Sequence, residues 1–448
     1  MGIINDILMN VEKSLLGDIQ GALSGQSKHV VSGEFIPGDV DIIDITLLSE
    51  DQQRKYSLLS QCKSFNIYES ILSPVIFAEL SIADSIGLLQ NFPIIGEEYV
   101  SITFNTPSSK QPAVYTMRVN RVKNKKIAIN VKMTTYTIEL VSAELFRNSS
   151  RLVTKQFEGA VSDSVKDIFE NELGTEKKIS IEDTRGIDAS IVTRMQPLKA
   201  IDFFRRRAVS KKYQSSSFVC FENRFGYNFI TIENLFETGS KSGSSSDKVF
   251  WFDNSSNKVN SKGVTVRNII AYNQVGFVDS VSKIQHGGIT NIVNRFDLVT
   301  GDFKKITYTN NEAQDKFKFG DEKSTSLNSS TFDRLHGKVT AKTKLVPYSS
   351  DKAESFLPEK LNFLQAFTQK ISQNLVQIEI YGDTDLTVGD IITCNLPAAT
   401  GQTGPTENAR LDSGNYLISK LRHMVINGDR PQHIISMELI KGSFLESA

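Results

Sequence analysis

The chain has 448 residues, long enough for two to four domains with substantial cores. Its 51 basic and 51 acidic side chains balance, so bulk charge gives no argument for nucleic-acid or membrane affinity. Cys62, Cys220 and Cys394 are too far apart for a CxxC element, which indicates synthesis in a reducing cytoplasm without a disulfide framework or a zinc site. No apolar run is long enough for a transmembrane helix, and we expect no membrane insertion.

Residues 1–30 are predicted to form a helical arm. Apolar residues recur three or four positions apart, which predicts an amphipathic helix that ends near Ser24-Gly25. The stripe includes Ile4, Leu8, Val11 and Leu15. The arm either contacts a partner through this stripe or packs on its own domain.

Residues 31–146 are predicted to form a first antiparallel β-barrel, because apolar and polar residues alternate in six segments. Gly96 and Glu98 precede the strand that contains Val100, and we expect them to form its entry corner. Asn124-Lys125-Lys126 is predicted to be a hairpin turn with a basic tip.

Residues 147–215 are predicted to form a connecting α/β domain. One helix begins near Ser162 and ends at Gly174, and another begins at Pro197. The run Arg205 to Lys212 is the most basic in the chain. It is either a solvated, ion-paired face or a nucleic-acid contact.

Residues 216–254 and 343–448 are assigned to a second barrel with a preceding helix, interrupted by an inserted β-rich domain at 255–342. In this barrel Gly389 and Asp390 form the corner before the strand that contains Ile392. A long loop follows, and its Gly401 and Pro405 are candidate partner contacts. The alternative is an ordinary surface loop.

The two barrels share a pattern that indicates an internal duplication. Ala78-Glu79-Leu80-Ser81-Ile82 matches Val376-Gln377-Ile378-Glu379-Ile380, and Gly96 with Glu98 precedes Val100 as Gly389 with Asp390 precedes Ile392. Both copies end alike, with Glu139 and Glu438 each between two apolar positions. Two unrelated β domains are the alternative interpretation.

These segments also carry a resemblance to a known family. Leu386-Thr387-Val388-Gly389-Asp390 with Pro397, and Ser413-Gly414-Asn415-Tyr416-Leu417-Ile418, resemble the terminal barrel of the baseplate central hub proteins of contractile-tailed bacteriophages. This family has relatives in type VI secretion spikes and phage late-control proteins. Met195 to Ile201 resembles its helical segment. The fold class implied is mainly β with α+β insertions, comprising two tail-tube-like antiparallel β-barrels plus connecting α/β and β-rich domains.

The resemblance implies a structural virion protein of the tail baseplate. Three copies would form a pseudo-sixfold ring that adapts the hexameric tail tube to the trimeric spike and leaves a channel for genome delivery. The implied partners are two further copies, the tail tube protein, the spike protein, and other baseplate or tape-measure proteins. DNA would pass through without specific binding, after assembly in the host bacterial cytoplasm.

No catalytic constellation is visible in the sequence. The five histidines have no metal-binding spacing, and neither a nucleophile elbow nor a phosphate-binding loop occurs. His423 and His433 lie in adjacent predicted strands, where a structural pair is the favoured interpretation. We therefore predict no enzymatic activity and no cofactor. A tail-associated peptidoglycan hydrolase and a host-glycan-binding tail protein remain alternatives, although a single Trp251 disfavours an aromatic glycan groove.

Overall fold

The fold is mainly β, as the sequence predicts. A computed structural model describes the following residues: 37–51, 53–92, 94–107, 109, 111–128, 133–241, 248–252, 267–276, 290–297, 300–309, 343–348, 375–396 and 413–441. The helical arm at 1–30, the helix predicted to precede the second barrel, and Gly401 and Pro405 lie outside these residues.

Strands make up most of the described chain. The first twelve are β1 (Asp41–Leu48), β2 (Lys55–Ser57), β3 (Cys62–Ser70), β4 (Phe77–Asp84), β5 (Tyr99–Asn105), β6 (Ala113–Ala128), β7 (Met133–Val141), β8 (Val153–Gly159), β9 (Ile179–Ile181), β10 (Asp188–Met195), β11 (Phe218–Asn223) and β12 (Gly226–Thr231). The others are β13 (Val249–Trp251), β14 (Ile269–Gly276), β15 (Thr290–Asp297), β16 (Phe303–Thr309), β17 (Thr343–Tyr348), β18 (Leu375–Tyr381), β19 (Ile391–Asn395), β20 (Gly414–Ile426) and β21 (Gln432–Ile440).

Within the described residues the helices are short and lie mostly between the two halves of the chain. They are α1 (Leu88–Asn91), α2 (Ala143–Ser150), α3 (Val161–Asp167), α4 (Pro197–Arg205) and α5 (Ile232–Lys241). A π-helical segment, Ile168–Leu173, continues α3 and ends at Gly174 in the left-handed conformation, as predicted. Ala160 is the residue before α3, so the helix begins earlier than the predicted start at Ser162.

One sheet of 13 strands unites both predicted barrels. Its order is β14-β18-β21-β20-β3-β4-β7-β6-β5-β1-β2, with β19 paired to β20 and β13 paired to β19. The strands alternate between buried and partly exposed positions, as in β21, which places one face of the sheet on a hydrophobic core. Two such cores lie under the sheet, one around Phe65, Phe104 and Ile138 and the other around Ile378, Ile392 and Leu439.

A third core belongs to the connecting region. It joins the helices to the β11–β12 hairpin through Phe169, Phe204 and Phe229. The opposite side of this hairpin places Val219 and Phe221 in the core around Ile392. The hairpin thus couples the connecting region to the second half of the sheet, because alternate residues of a strand face opposite sides.

The structure departs from the sequence analysis at two strands. β14 falls inside the segment assigned to the β-rich insertion, 255–342, yet it pairs antiparallel with β18 in the main sheet. Asn124-Lys125-Lys126 was predicted to be a turn but lies within β6, where a register shift occurs between Lys123 and Lys126. Asn124 has a φ of 56°, a conformation that is also common in turns. Here it belongs to a β-bulge, and the strand continues to Ala128.

Candidate functional site: the joint between two repeats

The main sheet contains two repeats with the same strand order. Repeat 1 is β3-β4-β7-β6-β5, and repeat 2 is β14-β18-β21-β20-β19. Neighbouring strands are antiparallel throughout both repeats. The predicted duplication is therefore present in the topology.

The repeats also share two bulges, which fix their alignment residue by residue. β6 and β7 shift register between Val119 and Arg121, as β20 and β21 do between Ile418 and Lys420. The second shared bulge lies in β3, between Cys62 and Ser64, and in β14, between Ile269 and Ala271. Bulges are specific features of a fold, and their recurrence makes coincidence a poor explanation.

The corner of repeat 1 contains Gly96, Glu98 and Val100. Gly96 has a φ of 96°, which favours glycine. The carboxylate of Glu98 is buried and accepts hydrogen bonds from the backbone N–H groups of Ile95 and Gly96, each at 2.9 Å. Val100 is fully buried in the first core.

The corner of repeat 2 shares one backbone hydrogen bond with the corner of repeat 1 but has different side-chain partners. Gly389 has a φ of 89°, and Asp390 accepts a 3.2 Å hydrogen bond from the Thr387 N–H. Asp390 also forms a 2.8 Å ion pair with Lys248. The carbonyl of Asp390 accepts from the Ile418 N–H at 2.9 Å, as the carbonyl of Glu98 accepts from the Val119 N–H at 2.9 Å. Ile392 is fully buried.

The repeats meet edge to edge where β20 pairs antiparallel with β3. The register places Val425 opposite Phe65 and Arg422 opposite Tyr68. On the solvent side the Arg422 guanidinium donates to the side-chain oxygen of Asn66 at 3.0 Å and lies over the Tyr68 ring. On the core side Val425 packs in the core of repeat 1 although it belongs to a strand of repeat 2. We call this β20–β3 pair the joint.

Beneath the joint runs a chain of buried polar side chains. Glu69 accepts hydrogen bonds from Thr387 Oγ1 at 2.6 Å, from the Val388 N–H at 3.1 Å and from the Tyr115 hydroxyl at 2.9 Å. The Tyr115 hydroxyl lies 3.4 Å from His423 Nε2, and His423 Nδ1 lies 3.0 Å from His433 Nε2. These groups connect both repeats, and buried polar networks specify one arrangement of the elements that carry them.

Burial sets the protonation of these groups. Burial, together with His433 and Arg224, lowers the pKa of His423 well below its usual value, and burial lowers the pKa of His433 to about 3. Both imidazoles are therefore neutral near pH 7. Burial raises the pKa of Glu69 against the opposing effect of its hydrogen bonds, and it raises the pKa of Tyr115 well above the usual range.

The sheet face opposite the cores is polar and continues across the joint. Several of its cations are paired with neighbouring carboxylates: Lys123 lies 2.8 Å from Glu79 and also binds Glu139, and Lys420 lies 2.9 Å from Glu438. Arg121 binds Glu139 as well. The positions of Glu139 and Glu438 are equivalent in the two repeats, and so are the ion pairs that they make.

The basic run of the connecting region is also largely neutralised. Arg205 and Arg206 form ion pairs with Asp202 at 2.7 and 2.8 Å, and Arg207 binds Asp188 at 3.1 Å. Lys212 forms an ion pair with Glu237. These pairs favour the ion-paired face over the nucleic-acid contact.

One buried charge cluster could be mistaken for a catalytic dyad. Glu144 and Glu222 both bind the Lys177 ammonium, at 2.8 and 2.6 Å, beside a cavity of about 320 Å³. Burial opposes the charge of Lys177, but the two carboxylates raise its pKa above the usual value. Glycoside hydrolysis needs two carboxyl groups that face each other across a groove with room for substrate. Here a lysine occupies the space between them.

Six of the site residues named from the sequence lie within the described residues. The chain of buried polar side chains beneath the joint was not predicted as a whole. Gly96, Glu98 and Val100 lie together at one corner, and Gly389, Asp390 and Ile392 lie together at the other. Glu69 and Tyr115 were missed, although Glu69 occupies an inward-facing position of β3 in series with Phe65 and Ile67. An acidic residue at such a position is the signal that could have revealed it.

Within the residues described, no group of three or more His, Cys, Asp or Glu side chains has the arrangement of a metal site. A search of the same part of the chain finds no helix with the length and apolar character that crossing a membrane requires.

Comparisons with known proteins relate the fold to tail proteins. No protein-family model matches the sequence, and no curated protein matches it. The tail protein of Neisseria meningitidis MC58 superposes with a TM-score of 0.54 at 9% identity, covering 89% of this chain and 96% of that chain. The 43 kDa tail protein of prophage MuSo2 from Shewanella oneidensis gives 0.53 at 10% identity, covering 89% and 98%. The family resemblance seen in the sequence is thus confirmed at the level of fold: the chain has the architecture of these tail proteins.

Proposed function

We propose that the chain is a structural tail protein of the baseplate-hub type, in which three copies form a ring of six similar repeats around a channel. Such a ring matches the sixfold symmetry of a tail tube on one side and the threefold symmetry of a spike on the other. The observation that carries the proposal is the joint, where two repeats of equal strand order pair edge to edge in one continuous sheet.

The similarity in fold to two tail proteins supports the class of function. The proposed partners are two further copies, a tube protein, a spike protein and other baseplate or tape-measure proteins. Residues 1–30, with Ile4, Leu8, Val11 and Leu15, and the loop with Gly401 and Pro405 are proposed contacts to these partners. The protein would be assembled in the host bacterial cytoplasm and act in the tail baseplate of the virion.

The polar face of the sheet fits a channel wall that DNA passes without specific binding. Nucleic-acid affinity comes largely from lysine and arginine side chains that neutralise phosphates. On this face Lys123, Lys420 and Arg121 are already neutralised by carboxylates of the same face. These ion pairs reduce the net positive charge that such a wall presents to a passing duplex.

The test is the mass and symmetry of the purified full-length chain. Mass photometry should give a species of three chains of 49.9 kDa each, and electron microscopy should give rings with six lobes and threefold symmetry. A monomer at micromolar concentration would contradict the ring.

The hydrolase alternative is tested separately by zymography on peptidoglycan. We expect no cleared zone, because Lys177 sits between Glu144 and Glu222. Clearing by the wild type that is lost in Glu222→Gln would replace the structural function by an enzymatic one.

A further inference from the structure

The two repeats bury one equivalent position very differently. Leu140 of β7 and Leu439 of β21 occupy the same place beside the shared bulge, so Thr134 and His433, six residues earlier, are equivalent. Their cross-strand partners are Ile127 and Val425. Val425 is 1% exposed, whereas Ile127 is 68% exposed.

The joint explains why Val425 is covered. β20 pairs with β19 over its first residues and with β3 over 420–426, so Val425 packs against Phe65 in the core of repeat 1. β6 likewise pairs with β5 over its first residues. Over 121–128, however, no described strand pairs with that edge of β6. The position of Ile127 has the geometry of a joint that lacks its second strand.

The strand equivalent to β3 lies at the end of the sheet. β14 pairs with β18 on one side, and none of the other described strands continues the sheet beyond it. Leu80 and Ile378 are equivalent, and their partners Phe65 and Tyr272 are therefore equivalent too. β14 has two exposed apolar residues, Val275, which is 51% exposed, and Ile270, which is 41% exposed. Unpaired edges with exposed apolar residues are a liability unless another chain covers them.

We propose that β6 of one copy pairs antiparallel with β14 of a second copy and so repeats the joint between chains. The register follows from the joint, where Met424 lies opposite Asn66 and Val425 opposite Phe65. It places Lys126 opposite Asn273 of the second copy and Ile127 opposite Tyr272 of the second copy. Because β6 and β14 are different edges, the contact is heterologous and closes only as a ring. This inference rests on the proposed function and specifies how its subunits join.

The register is tested by disulfide cross-linking of the full-length chain with Lys126→Cys and Asn273→Cys together. Directly opposed residues of antiparallel strands have Cβ atoms about 4.5–5.5 Å apart, close enough for a disulfide after small adjustments. Both side chains are exposed on the polar face. Mild oxidation should give a covalent ladder that ends at three chains, and each single variant should stay uncross-linked.

The matched control moves one cysteine two positions out of register. Lys126→Cys with Val275→Cys should cross-link at least about tenfold more slowly, because the opposed pair alone meets the distance limits of a disulfide. The native thiols will not interfere, since Cys62 and Cys394 are buried, Cys220 is partly buried, and burial raises the pKa of all three thiols to about 12. Faster linking of the shifted pair would overturn the register.

A second variant distinguishes the proposed β6–β14 pairing from trimer formation by any other contact. Ile127→Asp should keep the wild-type circular dichroism spectrum but dissociate the trimer, whereas Lys55→Asp, at an exposed position of β2, should leave the trimer intact. A trimer that persists in Ile127→Asp and yields neither cross-link would overturn this inference and leave the proposed function standing. A wild-type chain that is monomeric would overturn both.

Discussion

Ile127 and Val425 hold the same position in two copies of one motif, and only the second is covered. In repeat 2 the covering strand, β3, belongs to the same chain. In repeat 1 the edge of β6 carries an apolar side chain into solvent. Covering an isoleucine side chain contributes about 1.5–3 kcal/mol, so the two environments differ by an amount that matters for assembly. The β20–β3 joint within one chain thus shows what a strand pair at the edges of β6 and β14 would look like.

The corners of the two repeats differ in a second way. Glu98 satisfies two backbone N–H groups from a buried position, whereas Asp390 is partly exposed and shares its charge with Lys248. One backbone hydrogen bond is nevertheless common to both corners, from the Val119 N–H to the Glu98 carbonyl and from the Ile418 N–H to the Asp390 carbonyl. The two corners therefore share part of their main-chain geometry but differ in their side-chain contacts. Repeat 2 differs because it packs against the β11–β12 hairpin through Phe221 and Val219.

The strongest test of the equivalence places a charge in each core. Val100→Asp and Ile392→Asp should each lose on the order of 5 kcal/mol of unfolding free energy, because both side chains are fully buried and a carboxylate there would have no partner. Urea unfolding followed by circular dichroism measures the loss. The single Trp251 lies in β13 beside repeat 2 and reports on that half by fluorescence.

The comparison of the two signals shows whether the two repeats unfold together. If Val100→Asp leaves the fluorescence transition unchanged while Ile392→Asp abolishes it, the repeats fold independently and the joint does not couple them. Equal losses in both signals fit one cooperative sheet.

The next largest effect concerns the pH dependence of stability, to which a buried histidine at this position contributes in repeat 2 and not in repeat 1. Repeat 1 has Thr134 where repeat 2 has His433. Because burial lowers the pKa of His433 to about 3, this histidine takes up a proton at a lower pH in the folded state than in the unfolded state. The stabilisation is present above about pH 6.5 and is lost as pH falls toward 3, by about 1.4 kcal/mol per pH unit for one histidine.

His433→Gln keeps a nitrogen near the position of Nε2 and removes the titration. The difference in unfolding free energy between wild type and variant should therefore shrink by about 1.4 kcal/mol for each pH unit between 6 and 4. Glu69, whose raised pKa acts in the opposite direction, is present in both proteins and cancels. Parallel curves of unfolding free energy against pH would mean that His433 is charged in the fold.

The sequence predicted the elements better than their joining. Period-two alternation predicted the strands around Ile378 and Leu80, since each strand has one buried face. The same alternation cannot reveal the β20–β3 pair, because edge pairing between distant strands depends on three-dimensional closure and leaves no local pattern. Asn124 shows the limit at short range, because a residue of positive φ suits a turn and a bulge equally.

The candidate site was predicted in the same uneven way. The corner glycines follow from local backbone demands, whereas the contact of Glu69 in β3 with Thr387 in the corner of repeat 2 joins residues 318 positions apart in the sequence. His423 and His433 were interpreted as a structural pair in adjacent strands, and His423 Nδ1 lies 3.0 Å from His433 Nε2. Their link to Tyr115 depends on the joint and was beyond sequence reasoning.

The smallest expected effect compares the two corner glycines. Gly96→Ala and Gly389→Ala both place a Cβ on a backbone of positive φ, which costs about 1–2 kcal/mol. At Gly96 the nearest atom to the new Cβ is the Val119 carbonyl oxygen at 4.0 Å, so no further cost arises. At Gly389 the Cβ would lie 3.1 Å from Phe221 Cζ, and we expect about 1 kcal/mol more because overpacking a core is destabilising.

Urea unfolding of both variants measures this difference, and a second substitution assigns its cause. Gly428 lies in the turn between β20 and β21, where a Cβ would meet no atom within 4 Å, so Gly428→Ala should change stability by less than about 0.5 kcal/mol. Phe221→Leu shortens the side chain nearest to the Gly389→Ala methyl group, so the extra cost should fall when both changes are combined, with the remainder due to Leu235 Cδ2 at 3.3 Å. Equal costs at Gly96 and Gly389 would mean that the β11–β12 hairpin yields to the added methyl group, and that the two corners differ in their neighbours without differing in rigidity.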